Sequence, residues 1–441
     1  MKRIINLIRL AAVPLSLTMI SILAGSVINR VMVVELGLPV TLAGLFLAVP
    51  LLVAPVRVWL GHRSDAYPIM GRRREPYIII GAALAGLGAA LSVSLVLRTE
   101  ALFSLGAAVT LLALIGYGIG KNLTSNTFQA LLADKFESGA PRSRAATLYE
   151  VVNMIGLIAG AGIVGATLQP YSPERLTSIV IVISILAVVF ALIAAPGQEP
   201  REVTRRGSEE ARSVDFRSVV KNVVLGNPQV RLFFTIVMIT LFGTQIQDVL
   251  LEPYGALRFN MTVAETAQLT AFWGLGTLIS MLASGLYLIK RFGHLRIYRI
   301  GLAIVAVMFI LIVVSGFTGN PNILRLMTGL LGLGTGLAAA SLLVTMIEFT
   351  TEARAGLLIG VWGVAHQLGR ALSSLVGGLI VDGLLSVSNN NAMVAYGTAF
   401  MFEAVLLVGA MMLISHIDLE EAKLSVAQAG ERLTAVPAPT D

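Results

Sequence analysis

Apolar runs about as long as a bilayer crossing alternate with short polar connections along most of the chain. A helix needs about 20 predominantly apolar residues to span the hydrocarbon core. Twelve stretches satisfy that length: 11–34, 41–60, 76–97, 101–132, 145–168, 176–195, 230–252, 265–289, 297–317, 322–347, 355–381 and 391–415. The fourth and tenth run long and take in polar residues. The one extended polar segment between spans is 196–229, opened by Ala195-Pro196-Gly197 and carrying Arg201, Arg205, Arg206, Glu209, Glu210 and Arg212. The pattern predicts an all-α polytopic membrane protein: a six-helix bundle over 1–195, a linker over 196–229, a second six-helix bundle over 230–415 and a tail over 416–441.

The two halves echo each other. Val33-Val34-Glu35-Leu36-Gly37 at the end of span one matches Leu250-Leu251-Glu252-Pro253-Tyr254-Gly255 at the end of span seven. Gly116-Tyr117-Gly118-Ile119-Gly120 recurs as Gly332-Leu333-Gly334-Thr335-Gly336, and Arg144-Ala145 before span five as Arg354-Ala355 before span eleven. Three echoes in order at nearly one offset point to duplication. An even number of spans per half makes the repeats parallel. The glycines four apart permit close helix packing.

Composition excludes the aqueous classes. The chain is 56% hydrophobic and 13% charged, where a soluble chain carries about 25% charge. Cysteine is absent, which removes disulfide scaffolds, thiolate metal sites and cysteine nucleophiles together. The formal charge of +7 does not call for nucleic acid, because lysine and arginine gather on alternate connections. Placing the N-terminus inside puts 23 of them at the cytoplasmic face and four (Arg30, Arg98, Arg175, Arg258) at the other. That bias predicts cytoplasmic N- and C-termini. Met1-Lys2-Arg3 precedes the first span without a small-residue cleavage site, so that span is expected to be retained.

The loop after span two reads Gly61-His62-Arg63-Ser64-Asp65, then six residues on Gly71-Arg72-Arg73-Arg74. It resembles the major facilitator signature G-x-x-x-D-x-x-G-R-R/K, with three extra residues between Asp65 and Gly71. Gly61, Asp65, Gly71, Arg72 and Arg73 are therefore gating candidates: a carboxylate and arginines can pair across the ends of neighbouring helices. The plainer alternative is that the arginines only anchor topology. Asn29-Arg30-Val31-Met32-Val33-Val34-Glu35-Leu36-Gly37 and Gln247-Asp248-Val249-Leu250-Leu251-Glu252-Pro253-Tyr254-Gly255 resemble the bacteriochlorophyll-delivery (PucC and LhaA) branch of that superfamily. Arg73-Arg74-Glu75-Pro76-Tyr77 and Ala130-Leu131-Leu132-Ala133-Asp134 fit it as well. The resemblance runs from about residue 10 to 415. It implies a twelve-helix fold in a cytoplasmic or photosynthetic membrane and a role in handling bacteriochlorophyll or chlorophyll as cargo. It also implies antenna or reaction-centre polypeptides as partners. Arg30, Glu35, Gln247, Asp248, Glu252 and Tyr254 then form the functional motif. An ordinary solute transporter on the same fold, or an assembly partner that moves nothing, are the alternatives.

Ionisable groups inside spans are costly and face protein or water; here they are Arg30, Glu35, Arg57, Lys121, Glu150, Asp248, Glu252, Glu348, Arg370 and Glu403. On an α-helix Arg30 and Glu35 stand about 140° apart, so each is expected to pair across helices. Asp248 and Glu252, four apart, share a face. His366 is the only histidine within a span, one turn before Arg370. It can ligate a chlorin magnesium axially, or simply hydrogen-bond in the interior. Asn122, Asn126 and Gln129 on span four, with Glu150 and Asn153 on span five, can line a cavity or bond across helices. His366, Arg370, Glu150, Asn153 and Asn126 make the substrate-binding set. No G-x-x-x-x-G-K-[ST] occurs, so no phosphate-binding loop is encoded. The seven aspartates are scattered, against the clustered carboxylates a magnesium-dependent prenyl transfer needs. No enzyme, intrinsic cofactor or metal is expected.

The charge bias has a direct test. Reporter fusions within 200–212 and after 416 are expected to give cytoplasmic signals; an external signal at either place overturns the orientation.

Overall fold

The computed structural model describes residues 2–56, 59–60, 63–64, 67–98, 105–135, 140–199, 228–348 and 355–416. Twelve helical rods follow one another through these residues. Helix α1 runs over Lys2–Ser21 and continues through π-helical turns at Ile22–Val27 and Val31–Glu35. It is followed by α2 (Val40–Leu52), α3 (Glu75–Val96), α4 (Leu105–Lys135), α5 (Ala140–Thr167) and α6 (Pro173–Ala194). Helix α7 is Pro228–Gln245, resumed after one residue as Gln247–Phe259; α8 is Val263–Ala283, extended by a π turn at Ser284–Leu288 and by Ile289–Phe292. Then come α9 (His294–Ser315), α10 (Pro321–Glu348), α11 (Ala355–Val387) and α12 (Ala392–Ile414). Nine rods among the described residues are long and apolar enough to cross a membrane, and Val40–Leu52 and Val151–Thr167 are shorter apolar helices. The interrupted α7 completes the twelve that the hydropathy pattern predicts. It continues to Phe259, past the expected end at 252, because Pro253 lies inside the helix and does not stop it.

One apolar core is built from α1 to α6, centred on residues such as Ile28, Ile78, Leu131 and Leu168. A second is built from α7 to α12, around Tyr254, Phe309, Tyr396 and Phe400. Few side chains cross between them: Val263 and Ala267 join the first core and Val40 the second. In lipid the helices gain little from apolar association alone, so small residues that let backbones meet carry the packing. Repeat-related Gly120 and Gly336 do this in both halves. A Cβ on Gly120 would lie 2.6 Å from the carbonyl oxygen of Gly81 on α3, and one on Gly336 would lie 3.0 Å from the carbonyl carbon of Thr277 on α8.

At the arginine-rich end, the segment leaving α6 folds back onto the start of α3. Gln198 and Glu199 donate their backbone N–H groups to Glu75 Oε1 at 2.7 and 2.8 Å. In return the Glu199 carboxylate accepts the backbone N–H groups of Arg73 and Arg74 at 2.8 and 3.0 Å. Two buried carboxylates thus exchange places as caps for each other's backbone. Arg72 pairs with Glu75, and Arg9 reaches the Ile193 and Pro196 carbonyl oxygens at 2.6 and 3.2 Å. Lys135 donates to Gln198 Oε1. Burial pushes its ammonium below the usual lysine range, Arg9 adds to that, and Glu75 opposes it.

At the opposite end, α2 and α11 meet backbone to backbone, and a Cβ on Gly378 would fall 2.6 Å from Thr41 Cα. Overpacking of this kind costs about 1–3 kcal/mol. Gly378→Val is therefore expected to lower the thermal stability of the detergent-solubilised protein clearly, and Gly383→Val, with open space around its Cα, to leave it near wild type.

Candidate functional site

The ends of α1 and α7 form a polar seam between the halves. Asn29 donates to the carbonyl oxygens of Asp248 and Val249 at 3.3 and 3.0 Å. Arg30 reaches the Met261 carbonyl oxygen at 3.3 Å, gripping the turn between α7 and α8. Its other arm pairs with Glu35. This corrects the expectation that Arg30 and Glu35 pair only across helices. Val31–Glu35 is a π turn, with the Leu36 N–H bonded to the Val31 carbonyl at 3.0 Å. Residues five apart are neighbours along a π-helix, as residues four apart are along an α-helix. Arg30 thus serves both its own helix and the opposite half.

Glu252 is buried and accepts the hydroxyls of Ser26 on α1 and Thr270 on α8, the latter at 3.0 Å. Asp248, one turn earlier, serves a different neighbour: its carboxylate meets Arg370 on α11 at 2.9 Å. Gln247 opens the second segment of α7. Its backbone N–H, which the helix break leaves without an intrahelical partner, goes to Glu403 on α12 at 2.8 Å. Tyr254 is fully buried against Phe259, Tyr396 and Phe400, and acts as core.

A second link seals the same end. Helix α2 starts after Pro39, which has no side chain able to cap it. The carboxylate of Asp382 on α11 takes the Val40 and Thr41 N–H groups at 2.9 and 2.7 Å instead. A carboxylate at a helix N-terminus satisfies orphan donors and favours the dipole. Deeper in, this contact gives way. Residues 370, 374 and 378 lie along one face of α11; Gly378 and Ser374 press on α2 at Thr41 and Gly44. Arg370, a turn further toward the arginine-rich end, is 37% exposed, and its partner Asp248 34%. The halves are closed at one end and part around this ion pair.

The remaining predicted residues divide. Asn153 bonds Thr18 on α1, a link within the first bundle. His366 is partly buried one turn before Arg370, and both it and Asn126 are engaged within the protein. Glu150 lies on α5, its side chain outside the described set. Gly61 and Asp65 lie outside the described residues; Gly71, at φ +74°, forms a tight turn with Met70. Arg72 and Arg73 have their described carboxylate partners in Glu75 and Glu199. The sequence assigns no site role to Asp382, Glu199, Ser26 or Thr270, and places Glu75 only within the family motif Arg73-Arg74-Glu75-Pro76-Tyr77. The only hints were a helix start with no cap of its own at Pro39 and a glutamate directly after three arginines.

Two six-helix bundles that meet at one end around a polar interior are the architecture of the major facilitator transporters. The crystal structure of the peptide transporter POT superposes with a TM-score of 0.70 at 14% identity, covering 93% of this chain and 94% of that one. Within that fold the chain belongs to the PucC family, whose profile, described as PUCC protein, matches residues 27–422. It is 28% identical to Protein PucC of Rhodobacter capsulatus, over 92% of this chain and 90% of that one. It is 30% identical to the Bacteriochlorophyll synthase 44.5 kDa chain of the same species, over 97% and 99%. The chain is thus a multi-pass membrane protein of a family found in photosynthetic bacteria.

Because the chain has no cysteine, a single introduced one reports cleanly on the seal. Asp382→Ala removes a cap worth about 1 kcal/mol. Maleimide labelling of Leu38→Cys, a buried position beside the cap, is expected to rise roughly fivefold in the Asp382→Ala background. Unchanged labelling would assign Asp382 no part in closure.

Proposed function

We propose that this protein is a membrane carrier or assembly factor that handles bacteriochlorophyll or chlorophyll while light-harvesting or reaction-centre complexes are built. The partly exposed Arg370–Asp248 pair carries the carrier half of this reading. Inside a membrane, ionisable groups left open to space mark a pathway or binding site. The pigment half is supported by membership of the PucC family and by a relative whose name mentions bacteriochlorophyll. Binding and release are the whole of the activity in this reading. Prenyl transfer would need a carboxylate cluster, and the aspartates are scattered.

The arginine-rich face and both termini are cytoplasmic, following the charge bias, and the host is a cytoplasmic or photosynthetic membrane. The seal formed by Arg30, Asn29, Glu252 and Asp382 then closes the far side, and the polar interior opens toward the cytoplasm. His366, a turn from Arg370, offers one axial ligand of modest strength to a chlorin magnesium, which suits a cargo that must be handed on. Antenna or reaction-centre polypeptides are the receiving partners.

The absorption spectrum of the protein purified from its native membrane tests the reading. A chlorophyll-type band in proportion to protein is expected. Solute flux in pigment-free vesicles without such a band would transfer the protein to ordinary transport. Antenna subunits copurifying without pigment would make it a structural partner.

A further inference from the structure

The Arg370–Asp248 pair joins two helices of the same bundle, so it does not itself hold the halves together. The residues that bracket it on α11 do. Ser374 and Gln367 are seven apart and share one face of the helix, two turns from each other, with Arg370 between them. Both meet the first bundle. Ser374 presses on Gly44 of α2, where a Cβ would lie 3.0 Å from the Ser374 carbonyl carbon. Gln367 Nε2 donates to Asn122 Oδ1 of α4 at 3.1 Å. Gly369 and Gly377 seat α11 on α7 of its own bundle: a Cβ would lie 2.9 Å from Leu241 Cδ1 on the first and 2.7 Å from Ile246 Cγ2 on the second. The halves therefore touch again beyond the ion pair, about 4.5 Å closer to the arginine-rich end than Arg370.

Asn122 is a fixed acceptor. Its side chain is buried, and its Nδ2 donates to the Gly118 carbonyl oxygen at 2.9 Å, which leaves Oδ1 for α11. Gly118 in turn presses on α2, where a Cβ would lie 2.7 Å from Pro50 Cα. The partner is the longer arm of Gln367, only partly buried and carried by the other half. Links at the far end carry charge: Asp382 takes two N–H groups of α2, and Arg30 donates to the Met261 carbonyl oxygen. The Asn122–Gln367 bond joins two neutral amides, and a hydrogen bond with an ionised partner is roughly twice as strong. The amide bond is thus the weaker link. It cannot yield into a dry space, however. Without Gln367 the buried Asn122 oxygen would be stranded in the membrane interior, a cost that only water or another donor removes.

We propose that the Asn122–Gln367 bridge is a latch between the halves on the arginine-rich side of the Arg370–Asp248 pair: a bond that must break, with water taking the place of Gln367 at Asn122, before the opening widens toward that face. The inference goes beyond the function proposed above and does not rest on the identity of the cargo. Its consequence is an order of events. The arginine-rich end parts first, at the neutral bridge, while the charged links at the far end stay closed, and hydration of Asn122 accompanies each opening.

Ser374→Cys supplies the reporter. It exchanges one atom in a side chain buried against α2, and the chain has no cysteine of its own. In nanodiscs, the rate at which a maleimide labels it reads how often the halves part beside the latch. That rate is expected to rise roughly fivefold in Asn122→Ala and in Gln367→Ala, the weight of one neutral hydrogen bond. The double variant is expected to label no faster than the singles, because each removes the same bond. Leu38→Cys, buried at the far end, is expected to keep its rate in both backgrounds. Unchanged labelling of Ser374→Cys in the single variants overturns the proposal. So does a double variant whose rise is the product of the two singles, or an equal rise at Leu38→Cys, which would mean general loosening. Where either alanine variant does not fold, Gln367→Met, similar in length but without the amide, decides: the latch stands only if Ser374→Cys labels faster in it and Leu38→Cys does not.

Discussion

A polar group inside hydrocarbon has no water to fall back on, so each must find its partner within the protein. That constraint explains why so few residues decide how the halves of this chain meet. The pieces that touch across the middle are the ones that would otherwise be stranded. The N–H groups at the start of α2 are taken by Asp382, the turn after α7 by Arg30, and the Glu252 carboxylate by hydroxyls from both halves. Apolar packing builds each bundle; close glycine contacts such as Gly378 against Thr41, together with these hydrogen bonds, join them. A joint of that kind is specific in register and separable, since either face can exchange its partner for water when the two part.

The same reasoning places rigidity and mobility. Within each bundle, glycines let helix backbones close to within contact, as Gly120 does on α3 and Gly336 on α8. Such surfaces have no intermediate position: they are seated or they clash. The clasp of Glu75 and Glu199 adds a further fixed point, tying the exit of α6 to the entry of α3 so that the linker leaves the first bundle at a defined place. Movement is left to the seam, to the interrupted α7 and to the π turns of α1 and α8.

Hydropathy alone was enough to place the rods, because a span must be apolar over its whole length, and twelve stretches comply. Echoes such as Gly116–Gly120 with Gly332–Gly336 exposed the repeat for the same reason: close packing tolerates few residue types. Partners were less legible. Glu403 was visible as an intramembrane carboxylate, but that it caps the broken α7 depends on a backbone break that no residue type announces. Arg30 and Glu35 were judged by the periodicity of an α-helix, and the π turn between them changed that periodicity. Asp382 lies 342 residues from the N–H it caps, and nothing in its own neighbourhood marks it. Short-range chemistry, such as Arg72 beside Glu75, can be read from spacing; long-range satisfaction of backbone groups cannot.

The π turns at Ile22–Val27 and Val31–Glu35 give α1 a property that a uniform helix lacks. Each carries a surplus residue relative to α geometry, and a residue contributes about 100° of rotation about the helix axis. Converting one turn to regular geometry turns everything beyond it by about that angle, and passing the surplus along turns the residues it passes, while the helix stays helical throughout. Arg30 and Asn29 stand beyond the first of these turns. Their grip on the other half can therefore be released by a change of winding, with no need for the span to slide, tilt or melt.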